Sequence, residues 1–155
     1  MRRAVLWAVL MLLPAPAFAG GGAWSAQKQD DEGGPVMAAS VVGDPDGNVT
    51  PSLVLTCADK GSLTLRYLTT ADAVQPGSEA DFLFENERTQ QTLHMQYEDE
   101  DGAFAATVPR SGPLLDFLRT GDEVFISETS GNYPAQTFPL TGSGKAIDIL
   151  LKTCK

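Results

Sequence analysis

Histidine, cysteine and tryptophan are almost missing from these 155 residues: there is one His, two Cys and two Trp. One imidazole, at His94, and two separated thiols do not make a zinc centre of nitrogen and sulfur ligands. No C-x-x-C is present, so dithiol redox chemistry is not indicated. No serine stands in a G-x-S-x-G elbow, which leaves any hydrolytic chemistry to carboxylates alone. Acids scattered through turns are more often solvated charge than a tuned pair. Basic residues are scarce too, 11 against 20 acidic ones, for a formal net charge of −9. Such a surface repels phosphate backbones and anionic lipid, which argues against nucleic-acid and membrane partners and for a cationic protein partner. Long apolar runs are also lacking, since the one at Ala4 to Leu13 falls short of the roughly 20 residues a spanning helix needs.

That run has a different meaning. Arg2 and Arg3 precede it and Ala17-Phe18-Ala19 follows, the pattern of a secretory signal peptide over residues 1–19. Leu12-Leu13-Pro14-Ala15 has no lipobox cysteine, so the expected product is an exported, unanchored chain, periplasmic or secreted. Residues 20–34 are polar and glycine-rich and read as a flexible lead-in, with Trp24 expected to dock on the domain as an anchor. Residues 35–155 suffice for one domain. Two cysteines in an exported chain are most simply one disulfide, Cys57 to Cys154, with two free thiols or an intermolecular bridge as the alternatives. Closing a loop of about 98 residues stabilises by up to about 4.7 kcal/mol in the chain-entropy view.

Most of the remaining pattern has period two. Val36 to Val42 reads as a strand stopped by Asp44-Pro45-Asp46-Gly47. Leu53, Leu55 and Cys57 alternate on what is expected to be an inward face, and after a turn at Ala58 to Gly61 so do Leu63, Leu65 and Tyr67, giving a hairpin. Asp81 to Glu85 and Thr92 to Tyr97 form a second hairpin, and Phe104, Ala106 and Val108 continue what reads as a meander. The period changes at Pro113 to Thr120, where apolar residues at helical spacing lie between Ser111-Gly112 and Gly121. Glu123 to Ser127 and Gln136 to Leu140 are strands. Ile147, Leu150, Leu151 and Cys154 fall on one face of a C-terminal helix, which carries Cys154 to the core shared with Cys57. The expected architecture is mainly β: an antiparallel β-sandwich or flattened barrel of about seven or eight strands with two short helices. A doubly wound α/β fold fits poorly, because helices do not alternate with strands.

Several motifs have ordinary readings. Thr141-Gly142-Ser143-Gly144-Lys145-Ala146 lacks a phosphate loop's first glycine, which is Pro139 here, and its metal-binding hydroxyl, which is Ala146. Asp44-x-Asp46-x-Asn48 does not continue as a calcium hand, since Val49 and Leu55 take the places of the required glycine and glutamate; the acidic turn Glu98 to Asp101 is left as a weak calcium candidate. The sequon Asn48-Val49-Thr50, followed directly by Pro51, reads as chance. His94 alternates out of phase with Leu93 and Met95 and is expected on the surface. No cofactor, metal site or catalytic residue is expected, and an enzyme is not.

The order of a Leu53-x-Leu55-x-Cys57 strand, a Leu-x-Leu strand, a Leu114-Leu115-x-x-Leu118-x-x-Gly121 helix, a Phe138-x-Leu140-x-Gly142 strand end, a helix and Cys154 resembles small exported proteobacterial proteins. These are the type VI secretion accessory family and the invasion-associated locus B proteins. The resemblance covers about Trp24 to Cys154 and implies a periplasmic β-rich domain that acts by binding, in a secretion or host-interaction system. A second likeness is to periplasmic inhibitors of C-type lysozyme. It rests on Cys57-x-x-x-Gly61 followed by Tyr67, and on Ser130-Gly131-Asn132-Tyr133, whose spacing is one residue short of that family's pattern. It implies a candidate interaction loop at Ser130, Gly131, Asn132 and Tyr133, and an alternative function as inhibitor of a cationic cell-envelope hydrolase such as lysozyme.

Overall fold

A computed structural model describes residues 22–30, 33–71 and 73–154; the signal peptide expected at 1–19 lies outside them. The strands are β1 (Ser25–Gln29), β2 (Val36–Val42), β3 (Ser52–Cys57), β4 (Ser62–Leu68), β5 (Glu79–Glu85), β6 (Gln90–Glu98), β7 (Ala103–Pro109), β8 (Glu123–Glu128) and β9 (Gln136–Pro139). Helix α1 (Pro113–Thr120) joins β7 to β8, and α2 (Ser143–Thr153) follows β9. All described strands belong to one antiparallel sheet in the order β1-β2-β3-β4-β7-β6-β5-β8-β9.

The sheet folds over itself. Strands β6 and β7 pair only over Gln96–Glu98 against Ala103–Ala105, whereas β4 with β7 and β5 with β6 pair along most of their lengths. The short pairing is a crease between a half made of β1-β2-β3-β4-β7 and a half made of β6-β5-β8-β9. Rings from the two halves meet: Tyr67 of β4 lies 5.3 Å from Phe82 of β5 and 6.1 Å from Phe138 of β9, centroid to centroid. Strands β4 and β9 are five places apart in the sheet, which at about 4.8 Å per strand would separate them by about 24 Å if it were flat. The result is the expected sandwich or flattened barrel.

Period-two alternation explains the filling. Leu53 and Leu55, Leu63, Leu65 and Tyr67, Phe82 and Phe84, and Val124 and Ile126 are all buried at alternate positions, and inward burial of each such side chain contributes about 1.5–3 kcal/mol. Leu114, Leu115, Phe117 and Leu118 of α1 and Ala146, Ile147 and Leu150 of α2 join the same core, with α2 packed on β1, β2 and β3.

Three expectations are corrected. The lead-in at 20–34 contains a strand, because Trp24 is buried, donates from its indole nitrogen to the Pro139 carbonyl at 3.1 Å and from its amide to Thr141 at 2.9 Å, and β1 then pairs with β2 from Ser25↔Ser40 to Gln29↔Val36. Trp24 does dock, as expected. That strand brings the described strands to nine. The expected meander of β5, β6 and β7 is present, and because β4 lies beside β7 the chain crosses one end of the sandwich to reach β5, so the four strands make a Greek key. Cys57, on the inward side by alternation and opposite the buried Leu63, is itself exposed at the end of its strand. Its bond to Cys154 is present, with the Cα atoms 5.4 Å apart.

Candidate functional site

Strand register places most of the connections at one of two ends. Residues 43–51 between β2 and β3, 69–71 and 73–78 between β4 and β5, 99–102 between β6 and β7, and 129–135 between β8 and β9 all gather at one end, here the loop pole. Cys57, the 3-10 turn Asp59–Gly61, loop 86–89, α1 and the end of α2 lie at the other, the disulfide pole.

The loop pole holds the candidate interaction residues. Ser130, Gly131 and Asn132 are exposed at the tip of loop 129–135, and Tyr133 is half-buried. Strand β8 places Val124, Ile126 and Glu128 on one side, so the carboxylate ends an otherwise apolar face and is only 7% exposed. It is satisfied by its own loop: the Ser130 amide donates to Oε1 at 2.9 Å and the Asn132 amide to Oε2 at 2.7 Å. Gly131 takes φ +75°, a left-handed conformation that glycine adopts without strain, and its amide donates to the Glu128 carbonyl. Burial pushes the Glu128 carboxyl up, but donors from Asn132, Ser130 and Gly131 outweigh it and hold it below its ordinary range. Tyr133 turns inward, its ring 4.9 Å from Phe104 and 6.1 Å from Phe82. The Thr129 amide donates to the Asp81 carbonyl, and the Tyr67 hydroxyl reaches Pro134 at 3.4 Å. Burial pushes the Tyr67 phenol up to about 12. Of the four residues singled out from the sequence, three thus form a presented tip and the fourth is its anchor.

A cleft of about 390 Å³ opens beside this loop, between Asp46–Val49, Thr70–Ala71 and Pro134. Its walls are tied: Asp46 and Val49 exchange backbone hydrogen bonds of 2.9 and 3.1 Å across a two-residue turn, and Gln136 donates to the Thr70 hydroxyl at 3.0 Å.

Outside the loops, His94 is exposed as expected, with Nδ1 2.8 Å from Asp81 Oδ1 and Nε2 3.5 Å from Glu79 Oε2. Sequence reasoning missed this trio, because the three-residue turn Asn86-Glu87-Arg88 would pair Asp81 with Leu93, whereas the loop has four residues, 86–89, and pairs Glu85 with Gln90 and Asp81 with His94. Arg66 bridges Glu98 and Asp101 at 2.8 Å each, so two acids of the calcium candidate turn already have a counter-charge. Among the described residues no group of three or more His, Cys, Asp or Glu is placed to hold a metal ion, and no helix is long and apolar enough to cross a membrane. Comparison with protein-family models, curated proteins and solved structures finds no match.

Proposed function

We propose that this is a non-enzymatic binding or accessory domain that works in the periplasm or after secretion and engages a protein partner through the loop at Ser130 to Tyr133. The observation that carries the reading is the Glu128 cradle: exposed residues Ser130, Gly131 and Asn132 stand on a backbone held by a buried carboxylate below and an aromatic anchor beside. A loop fixed before contact loses little freedom on binding, which is where rigid paratope-like loops gain affinity. The disulfide fits an oxidising, extracytoplasmic compartment. The order of strands and closing helix that resembles type VI secretion accessory and invasion-associated locus B proteins supports a role beside a secretion or host-interaction system.

The test is affinity capture from a cell-envelope extract with the disulfide-bonded protein as bait. A stoichiometric partner is expected, with recovery reduced at least about tenfold by Asn132→Arg, which places a long cation at the tip of the loop. Recovery of nothing beyond what a scrambled-loop control retains rejects the reading. A second reading, inhibition of a cationic envelope hydrolase, is favoured by the net charge of −9 together with the same loop. Lysozyme turnover of peptidoglycan that is unchanged by a large molar excess of the protein removes it.

A further inference from the structure

The four connections at the loop pole, 43–51, 69–78, 99–102 and 129–135, contain no Lys, Arg or His. They do contain Asp44, Asp46 and the run Asp99-Glu100-Asp101, all exposed. Arg66, on the strand that leads to this end, is held between Glu98 and Asp101. Arg88, Arg110 and Arg119 belong to the connections and helix at the disulfide pole, where Asp59, Glu87, Asp116 and Asp122 stand among them, and Lys28 lies on β1 and Lys145 and Lys152 on α2. The loop connections thus carry charge of one sign and the disulfide pole both, and a field of one sign over several loops steers an oppositely charged protein and orients it on approach.

We propose that the loop pole is the docking face, that its partner is a basic protein, and that the cleft between Asp46–Val49, Thr70–Ala71 and Pro134 takes a lysine or arginine side chain from it. The inference rests on the binding-domain reading and adds its chemistry. The cleft has what such a side chain needs. Asp46 supplies a counter-charge at its rim and Asn48 and Thr70 supply polar partners, while Val49, Ala71 and Pro134 cover an aliphatic stem. Its walls are set in advance, by the reciprocal Asp46–Val49 bonds, by Gln136 on Thr70 and by Tyr67 on Pro134, so little ordering accompanies binding. A peptide carrying its cation in an extended segment would also lie across exposed Ser130 to Asn132.

The experiment is an amide NMR titration of the disulfide-bonded protein with a blocked tetra-arginine peptide, and with tetra-glutamate as control. Expected are shifts confined to 46–49, 70–71, 99–102 and 130–134, binding that weakens as salt is raised, and no response to tetra-glutamate. Asp46→Asn and Asp99→Asn should each weaken binding about two- to fivefold. Asp46 contributes only its backbone to the turn bonds, so Asn keeps the turn. Glu87→Gln at the opposite pole should change nothing. Shifts spread over both poles, or equal losses for Asp46→Asn and Glu87→Gln, overturn the inference. The two readings fail separately: a captured envelope partner whose recovery is untouched by Asp46→Asn with Asp99→Asn leaves the binding domain standing and removes this face, whereas no captured partner removes the domain reading whatever the peptide does.

Discussion

The two ends of this sandwich are closed by different physics. At the disulfide pole the closure is covalent and apolar: Cys154 follows an amphipathic helix whose Ala146, Ile147 and Leu150 are buried, and it bonds to Cys57 across a sequence separation of 97. Gly142 opens that helix with φ +81°, and a side chain there would meet the Trp24 carbonyl at 3.1 Å, so the helix start and the docked tryptophan fit only around a glycine. At the loop pole the closure is polar and local, a carboxylate taking the amides of its own loop and a tyrosine laid on two phenylalanines. The difference teaches that stability and presentation are separated: one end fixes the chain, the other shapes a surface.

The largest test of that separation is removal of the bond. Cys57→Ala with Cys154→Ala is expected to lower unfolding free energy by about 2–5 kcal/mol, read in denaturant melts. The chemical shifts of residues 128–135 should stay at their native values in the folded variant. If they move as much as those of α2, the poles are coupled and the comparison fails. A smaller loss, about 1–3 kcal/mol, is expected for Glu128→Gln, because the amide group turns donors toward donors in a buried place. Here the change should fall on hydrogen exchange at Ser130 and Asn132 and spare α2. The pH sign follows from the folded carboxyl lying below its ordinary value: the contribution of Glu128 is present above an ordinary value of 4.5 and lost as pH falls through the folded one. Native protein should therefore lose more stability in acid than the Gln variant does.

The same contrast marks what was legible beforehand. Alternation reports which side of a strand faces in, so Leu63, Leu65 and Tyr67 or Phe82 and Phe84 declared themselves, and a change of period declared α1. Two cysteines in a chain read as exported declared the bond. Alternation reports neither depth nor neighbour. It put Cys57 on the side of Leu53 and Leu55 but could not say that the cysteine is exposed where they are buried, nor that β4 pairs with β7. Strand β1, Ser-Ala-Gln-Lys-Gln, carries little apolar alternation because it is an edge, and what holds it there is Trp24 bonded to a carbonyl 115 residues away. The loop at Ser130 to Tyr133 was picked out by resemblance, but its support was hidden in a charge. Glu128 sits two places after Ile126 and four after Val124, on their side of the strand, and an acid there is a signal that something nearby must donate to it.

The smallest effect separates local pairing from the general acidity of the loop pole. His94 faces Asp81 and Glu79 from β5, with Glu98 on its own strand and the neutral Thr64 and Thr107 of β4 and β7 lining the same trough. The hydrogen bond to Asp81 raises its pKa most; desolvation opposes it, and the charges of Asp81 and Glu79 add to the rise. Because the folded value lies above the ordinary 6.5, stability from the charged ring is complete below 6.5 and is lost as pH rises through the folded value. A titration of the imidazole carbon-bound protons by NMR should give a midpoint above 6.5 that returns toward it in Asp81→Asn. Asp99→Asn with Glu100→Gln, which removes charge at the pole but touches no ring nitrogen, should leave most of the rise in place. If instead that pair lowers the midpoint as far as Asp81→Asn does, the imidazole is reporting the field of the whole pole, and the acidity of the loop pole reaches further along the sheet than the loops that carry it.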